Sequence, residues 1–206
     1  MDNHSHQHTE GMAGSGIPVE RHPFQPFLPS NSRLLMLGSF PPQSKRWDME
    51  FYYPNRQNDF WRIMGLIFFN DKKHFIDGEG HFIQQDIMDF LCTQGIALFD
   101  TATAVRRLQD NASDKYLEVV EPTDIDNILK QIPHCKAIIT TGEKATQIIC
   151  ERYGITMPIV GSFEPFSTLE REIRLYRMPS TSRAYPLAIE KKALSYSEMF
   201  RQNGYF

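Results

Sequence analysis

Residues 33–42 read RLLMLGSFPP, and the rest of the chain is interpreted outward from them. Four apolar residues ended by Gly38 and two prolines make the pattern of a short buried strand. A polar loop follows, and then 58–69, NDFWRIMGLIFF, reads as a helix. Asn58 or Asp59 is placed to cap it, with Phe60, Trp61, Met64 and Phe68 on its apolar faces. A second helix is expected over 82–93, where Phe82, Ile83, Ile87, Phe90 and Leu91 fall at helical spacing before Gly95. IALFD, 96–100, is a second buried strand, and 101–121 is expected to be polar and irregular. Pro122, Thr123 and Asp124 open a short helix through Gln131. KAIITT, 136–141, is a third strand, followed by Gly142 and an amphipathic helix, 143–153, running to Gly154. EIRLYRM, 172–178, is a fourth strand; the loop MPSTSRAYP leads to a last helix, 186–201. Strands that alternate with helices predict an α/β fold with a mostly parallel sheet covered on both faces.

Everything before residue 31 looks different. His4, His6 and His8 lie in a polar stretch, which Pro23, Pro26 and Pro29 then extend, with Phe24 and Phe27 as anchors. A disordered or extended arm over 1–30 and a single domain over 31–206 are expected. Alternate histidines in a solvated arm lack the fixed geometry of a metal site. The 206 residues, 41% hydrophobic and 23% charged, suit one ordinary domain that needs no disulfide or metal to hold a core. No run approaches the ~18 apolar residues of a membrane span, and the first residues hold no signal-like apolar segment, so a cytoplasmic protein is expected. The net charge of −3 argues against binding nucleic acid by bulk charge, but leaves room for a local basic rim of Lys45, Arg46, Arg56 and Arg183.

In open parallel sheets ligands bind beyond the carboxyl ends of the strands, and here those ends carry unusual loops. Gly38 allows a sharp turn and a close backbone approach. Phe51, Tyr52 and Tyr53 offer flat faces on which a base can stack, or pack into the core. Asn58 has a donor and an acceptor with which to orient water or read a base edge, or else serves as a helix cap. Ser180, Thr181 and Ser182, with Arg183, suit a phosphate, or cap the final helix. TTGEKAT, 140–146, lacks phosphate-loop spacing and is a strand-to-helix turn. Cys92 and Cys150, on apolar helix positions, and Cys135, before a strand, are expected to be core thiols. Asn111-Ala-Ser113 matches a glycosylation sequon, which has no meaning without export. Asp100 is placed to be a buried carboxylate that ties its loop to neighbouring backbone.

Taken together and in order, LLMLGSFPPQS, YYPNRQNDFW, GIALFD and MPSTSRAYP resemble the uracil-DNA glycosylase superfamily. The likeness is nearest to the hypoxanthine-DNA (deoxyinosine) glycosylase branch, then to the mismatch-specific uracil/thymine glycosylases, and covers about residues 31–200. It implies a three-layer α/β/α sandwich with a central, mainly parallel four-stranded sheet. It implies monofunctional hydrolysis of the N-glycosidic bond of a deaminated base flipped out of DNA, by a monomer without metal or cofactor. Asn58 would be the catalytic residue, positioning water or binding the base. Gly38, Ser39, Phe40 and Pro41 would lie against the base, one of Phe51, Tyr52 and Tyr53 would stack on it, and Ser180, Thr181, Ser182 and Arg183 would hold DNA phosphates. Arg183 or Tyr185 would fill the gap in the duplex. Three positions depart from the pattern: Pro42 replaces a usual Gly, Phe40 stands where sister families carry Asn or Asp, and Met178 stands where the most active branch has His. Those departures are what a non-catalytic nucleobase or nucleic-acid binder with the same fold would show.

Overall fold

The computed structural model describes residues 16–109 and 114–206. His4, His6, His8 and the Asn111 sequon lie outside the described residues. The apolar runs form the heart of a five-stranded sheet. Strands β1 (Val19–Arg21), β2 (Leu34–Gly38) and β3 (Ile96–Asp100) are followed by β4 (Ala102–Arg107), β5 (Leu117–Pro122), β6 (Ala137–Thr140), β7 (Ser162–Thr168) and β8 (Arg171–Arg177). The main sheet has the order β3-β2-β6-β8-β7. Its first four strands are parallel, with Leu34 opposite both Ile96 and Ala137, and Ala137 opposite Arg174. Every residue of β2, β3 and β6 is buried. That is why these segments read as continuous apolar runs: in a parallel sheet covered on both faces, no residue is spared to water.

The expected four-stranded sheet is corrected on two counts. First, β7 adds an antiparallel edge to β8, which makes the sheet five-stranded and mixed. Its sequence, SFEPFST, holds Pro165, a residue that demotes a segment when read as a strand but is tolerated at an edge. The turn between β7 and β8 places Leu169 and Glu170 at φ of 50° and 58°, the left-handed geometry of a tight hairpin without the glycines that usually announce one. Second, the stretch expected to be polar and irregular, 101–121, supplies β4 and β5. With β1 they build a separate antiparallel sheet of order β1-β4-β5. It shows a polar face to water and shelters only a small cluster of Phe40, Ala102, Val105 and Leu117.

Helices α1 (Phe60–Phe69), α2 (Gln84–Gln94), α3 (Ile125–Gln131), α4 (Glu143–Tyr153) and α5 (Ile189–Gln202) fall near their expected positions. α1 packs against α5, α2 against β3, and α4 against β6. α2 ends at Gly95 with φ of 66°, and a Cβ there would meet the Asn31 carbonyl oxygen at 2.5 Å, so the turn into β3 requires glycine. Cys135 and Cys150 are buried as expected, but Cys92 is exposed, on the solvent side of α2.

The N-terminal segment lies on the domain from Val19 onward. β1 pairs with β4, the His22 amide donates to the Thr103 carbonyl at 2.8 Å, and Phe27 exchanges two main-chain bonds with Leu98 of β3. Phe24 and Phe27 pack on the core. Because β2, β3, β6 and β8 run parallel and in register, their carboxyl ends Gly38, Asp100, Thr140 and Arg177 lie along one edge. The chain turns from β2 to β3 on one side and reaches β6 on the other, so a switch point falls beside Gly38.

Candidate active site

A cavity of about 730 Å³ opens at that edge, lined by Gly38, Ser39, Phe40, Pro41, Tyr52, Tyr53, Asn58, Asp100 and all of 180–183, among others. Its size is in the range of ligand pockets. Gly38 is required by a close approach: a Cβ on it would lie 2.4 Å from Asp100 Oδ1 and 3.6 Å from the Tyr53 hydroxyl.

The two loops that carry the motifs are joined by main chain. Asn58 and Ser182 form an antiparallel bridge, the Asp59 amide donates to the Thr181 carbonyl at 2.8 Å, and Arg183 donates back to the Gln57 carbonyl. Beneath this junction Asp59, a buried carboxylate, holds the Arg183 guanidinium at 2.9 Å and faces the Lys192 ammonium at 3.8 Å. Lys192 is 1% exposed and donates to the Ser182 carbonyl at 2.8 Å. Burial pulls the Lys192 ammonium down from its ordinary range, and the Asp59 charge opposes that fall. Asp59 therefore sets the loop from below, while Tyr196 donates to the Pro179 carbonyl at 3.0 Å and fixes its start.

Asn58 Oδ1 accepts from the Phe60 amide at 2.9 Å. A main-chain N–H can only donate, so this bond decides which end of the amide faces the helix. The Nδ2 hydrogens, with no partner among the described residues, and a second lone pair on Oδ1 are left for a ligand. Asp59 holds the N-cap position without a side-chain cap bond, and Asn58, one residue earlier, satisfies the first helical N–H while keeping hydrogen-bonding capacity for a ligand.

Tyr53 has φ of 51°, uncommon for a non-glycine residue. It is held there by a parallel stack on Phe60, 3.8 Å between centroids, and by a 3.0 Å hydrogen bond between its hydroxyl and Thr141. Tyr52 also lines the cavity, but its hydroxyl is committed to the Gln25 carbonyl at 2.6 Å, and burial drives its pKa far above the ordinary phenol range. Phe51 does not reach the cavity; it packs edge-on against Phe27 in the core. Thr181 is buried, so Ser180 and Ser182 are the half-exposed hydroxyls of their loop. Met178 is buried in the core cluster and does not line this cavity. Of the expected basic rim, Arg46 and Arg183 line the cavity, while Lys45 and Arg56 do not.

Two residues of the site escaped the sequence reading. Arg107 lines the cavity from β4, paired through two nitrogens with Glu20 at 3.1 Å each and donating to the Pro41 carbonyl at 3.2 Å. His22 meets Asp100 from behind, Nε2 to Oδ2 at 2.9 Å. Both come from segments read as irregular or as an arm, and only the pairing of β1 with β4 brings them in. Asp100 is tied to this side chain, and its carbonyl accepts from the Thr123 hydroxyl at 2.7 Å. Among the described residues no cluster of His, Cys, Asp and Glu could hold a metal, and no helix is long and apolar enough to cross a membrane.

No protein-family model matches the sequence, and no curated protein matches it either. Among solved structures it is similar to the solution structure of a protein from Methanosarcina acetivorans provisionally named a uracil DNA glycosylase. The two share 22% identity and a TM-score of 0.60 over 90% of this chain and 99% of the other. At that identity the likeness is one of fold, and this chain has the mixed α/β fold of that protein.

Proposed function

We propose that this protein is a monofunctional DNA glycosylase that hydrolyses the N-glycosidic bond of a deaminated base, hypoxanthine or uracil, flipped out of DNA. The observation that carries the reading is the bridge between Asn58 and Ser182 at the mouth of a nucleotide-sized cavity. It fixes a polar amide and a hydroxyl loop at a constant separation, as is needed to hold a sugar between a bound phosphate and a bound base. The three-layer arrangement and the kinship with the hypoxanthine branch belong to the same proposal, as does action by a monomer without a cofactor.

In this mechanism DNA phosphates meet Ser180, Ser182, Arg183 and Arg46, and the base enters past Tyr53 toward Gly38 and Ser39. Departure of the base gives an oxocarbenium-like sugar that needs little covalent help, but does need a water held in line. Asn58 orients that water or the base through its free amide hydrogens and its second lone pair. An amide takes up no proton, so the contribution is one of orientation. Loss of one preorganised contact costs about 10²–10³ in rate. Asn58→Ala is expected to lose base release by that factor and about 1 kcal/mol of stability, the worth of a helix cap. The test is single-turnover excision from oligonucleotides with uracil, hypoxanthine or xanthine, read by alkaline cleavage of the abasic site, beside a thermal melt. A folded Asn58→Ala protein that excises at the wild-type rate removes Asn58 from the mechanism.

A second reading, a nucleobase or nucleic-acid binder without catalysis, draws on Phe40 and Met178. One is apolar and packed among Ala102, Val105 and Leu117, and the other is shut in the core, so neither can assist a leaving group or a water. Salt-dependent binding to damaged DNA with no base release from any of the three oligonucleotides would establish that reading instead.

A further inference from the structure

His22 and Asp100 form a closed pair at the buried end of the cavity, their side chains 4% and 8% exposed. The imidazole is walled by Phe24, Phe40, Tyr52 and Phe99, with centroids between 4.7 and 6.2 Å away. Its Nδ1 faces the main chain of Phe24, the amide nitrogen at 3.1 Å and the carbonyl oxygen at 3.0 Å. The Phe24 main chain offers Nδ1 both a donor and an acceptor, so the carboxylate decides where the proton sits. In a neutral ring the Asp100 oxygen can only accept, so Nε2 carries the hydrogen and Nδ1 accepts from the Phe24 N–H. In a charged ring Nδ1 donates to the carbonyl and Nε2 still carries its own. Either way Nε2–H donates to Asp100 Oδ2 at 2.9 Å.

The other carboxylate oxygen is left over. Oδ1 lies against Gly38 and has no hydrogen bond among the described residues, and Asp100 lines the cavity. An ionised carboxylate accepts only, so Oδ1 calls for a donor on the ligand. Its depth indicates which part of a nucleotide supplies one. The exposed end of the cavity carries Arg46, Arg183 and Ala184, where a sugar-phosphate chain stays wet; the base reaches the buried end. Deamination replaces a ring nitrogen that accepts and an amino group that donates with a ring N–H and a carbonyl. We propose that His22 is a positioning residue that fixes Asp100 Oδ1 as the acceptor for the ring N–H of a lactam base. The identity of the ligand rests on the glycosylase reading above; the fixed orientation of the carboxylate does not.

The test uses the full chain as wild type, His22→Phe, which keeps a flat ring among the aromatics without a donor, and His22→Gln, which restores one. Each is assayed for equilibrium binding and single-turnover excision on oligonucleotides with hypoxanthine or N1-methylhypoxanthine, uracil or N3-methyluracil, and a tetrahydrofuran abasic analogue. Wild type is expected to prefer the N–H base over its methylated partner by on the order of 10- to 100-fold, the worth of a hydrogen bond to a charged group. His22→Phe erases most of that preference with affinity for the abasic analogue unchanged, and His22→Gln recovers it. A preference that survives in folded His22→Phe overturns the proposal, as does a wild type that treats each pair alike. If His22→Phe fails to fold, Asp100→Asn takes its place in the same comparison. Selective binding without base release sinks the hydrolysis and keeps the positioning role; equal release from both members of a pair does the reverse. No binding to any oligonucleotide overturns both.

Discussion

Gly38→Ala adds one methyl group at the point where the cavity, the sheet edge and the buried carboxylate meet. The new Cβ would lie 2.4 Å from Asp100 Oδ1, roughly 1 Å inside ordinary contact at ~3.4 Å. Gly38 is not in the left-handed region, so alanine is sterically allowed by its backbone and even gains about 0.4–1 kcal/mol by restricting the unfolded chain. The cost is the overlap, which has two ways out. If the carboxylate retreats by ~1 Å, Oδ2 leaves its 2.9 Å contact with His22, a loss of about 1.5–3 kcal/mol for a hydrogen bond to a charged group. If the backbone shifts, β2 is pulled from register with β3 at Gly38 opposite Asp100, an overpacking cost of about 1–3 kcal/mol. With the chain-restriction gain subtracted, the net is a destabilisation of about 0.5–2.5 kcal/mol, read as a lower denaturant midpoint with an unchanged slope. A double-mutant cycle with His22→Phe separates the two routes. If the carboxylate moves, the bond to His22 is already gone in the partner variant, and Gly38→Ala costs less there by about 0.5–3 kcal/mol. If the backbone moves, the effects add. Gly38→Ala as stable as wild type, with strict additivity, would refute the close packing of Asp100 against Gly38 on which this account of the site depends.

Asp59→Asn should cost about 2–3 kcal/mol in a chemical melt, because it leaves the Lys192 ammonium buried without a counter-charge, facing the Ser182 carbonyl and the Tyr185 ring; a change under 0.5 kcal/mol would mean that the pair does not hold the loop. For Asp126, burial raises the pKa, but hydrogen bonds from Tyr153, Thr168 and Arg152 outweigh it and hold the carboxyl below its ordinary value. The stability this lends is present above the unfolded value of about 3.9 and is lost as pH falls through the lower folded one, so Asp126→Asn should flatten the acid limb of a stability-pH curve and leave its slope above pH 5 unchanged. Iodoacetamide at pH 8 should label exposed Cys92 in the native protein and spare Cys135, whose thiol is buried and pushed up to about 12 by that burial; mass spectrometry showing native labelling at Cys135 would contradict its place in the core.

The parts of the molecule that were legible early share a physical cause. LLML, IALF and AIIT are buried on both faces, and their helices carry apolar stripes with Gly95 and Gly154 at their ends, so local hydrophobicity and turn residues report their state directly. β7 and the β4–β5 pair were not legible. Strands with one wet face mix charge, proline and apolar residues, as in SFEPFST at the edge of the main sheet and ATAVRR in the middle of the small one, and the pattern fades into that of a loop. The site divides the same way. Gly38, Asn58 and the 180–183 loop could be picked out because strand ends in a parallel sheet are where ligands bind, and the residues there were chemically distinctive. Phe51 shows the limit: in FYY nothing local decides which ring faces the cavity and which the core, since that depends on the turn made possible by Tyr53 at φ of 51°.

The sequence by itself determined the parallel strands, the helices between them and the edge at which a site would form, because each depends on burial repeated along a contiguous segment. Only the tertiary structure decided that His22 stands behind Asp100, that Arg107 reaches the cavity, and that Asp59 and Lys192 meet beneath the 180–183 loop. Those pairs are far apart in the chain, and their contact is set by the pairing of β1 with β4, by Phe27 against Leu98 and by α5 against α1. A histidine in a proline-punctuated segment carries no local mark of the carboxylate it will meet, because the register that joins them is a property of the folded sheet edge and not of either segment.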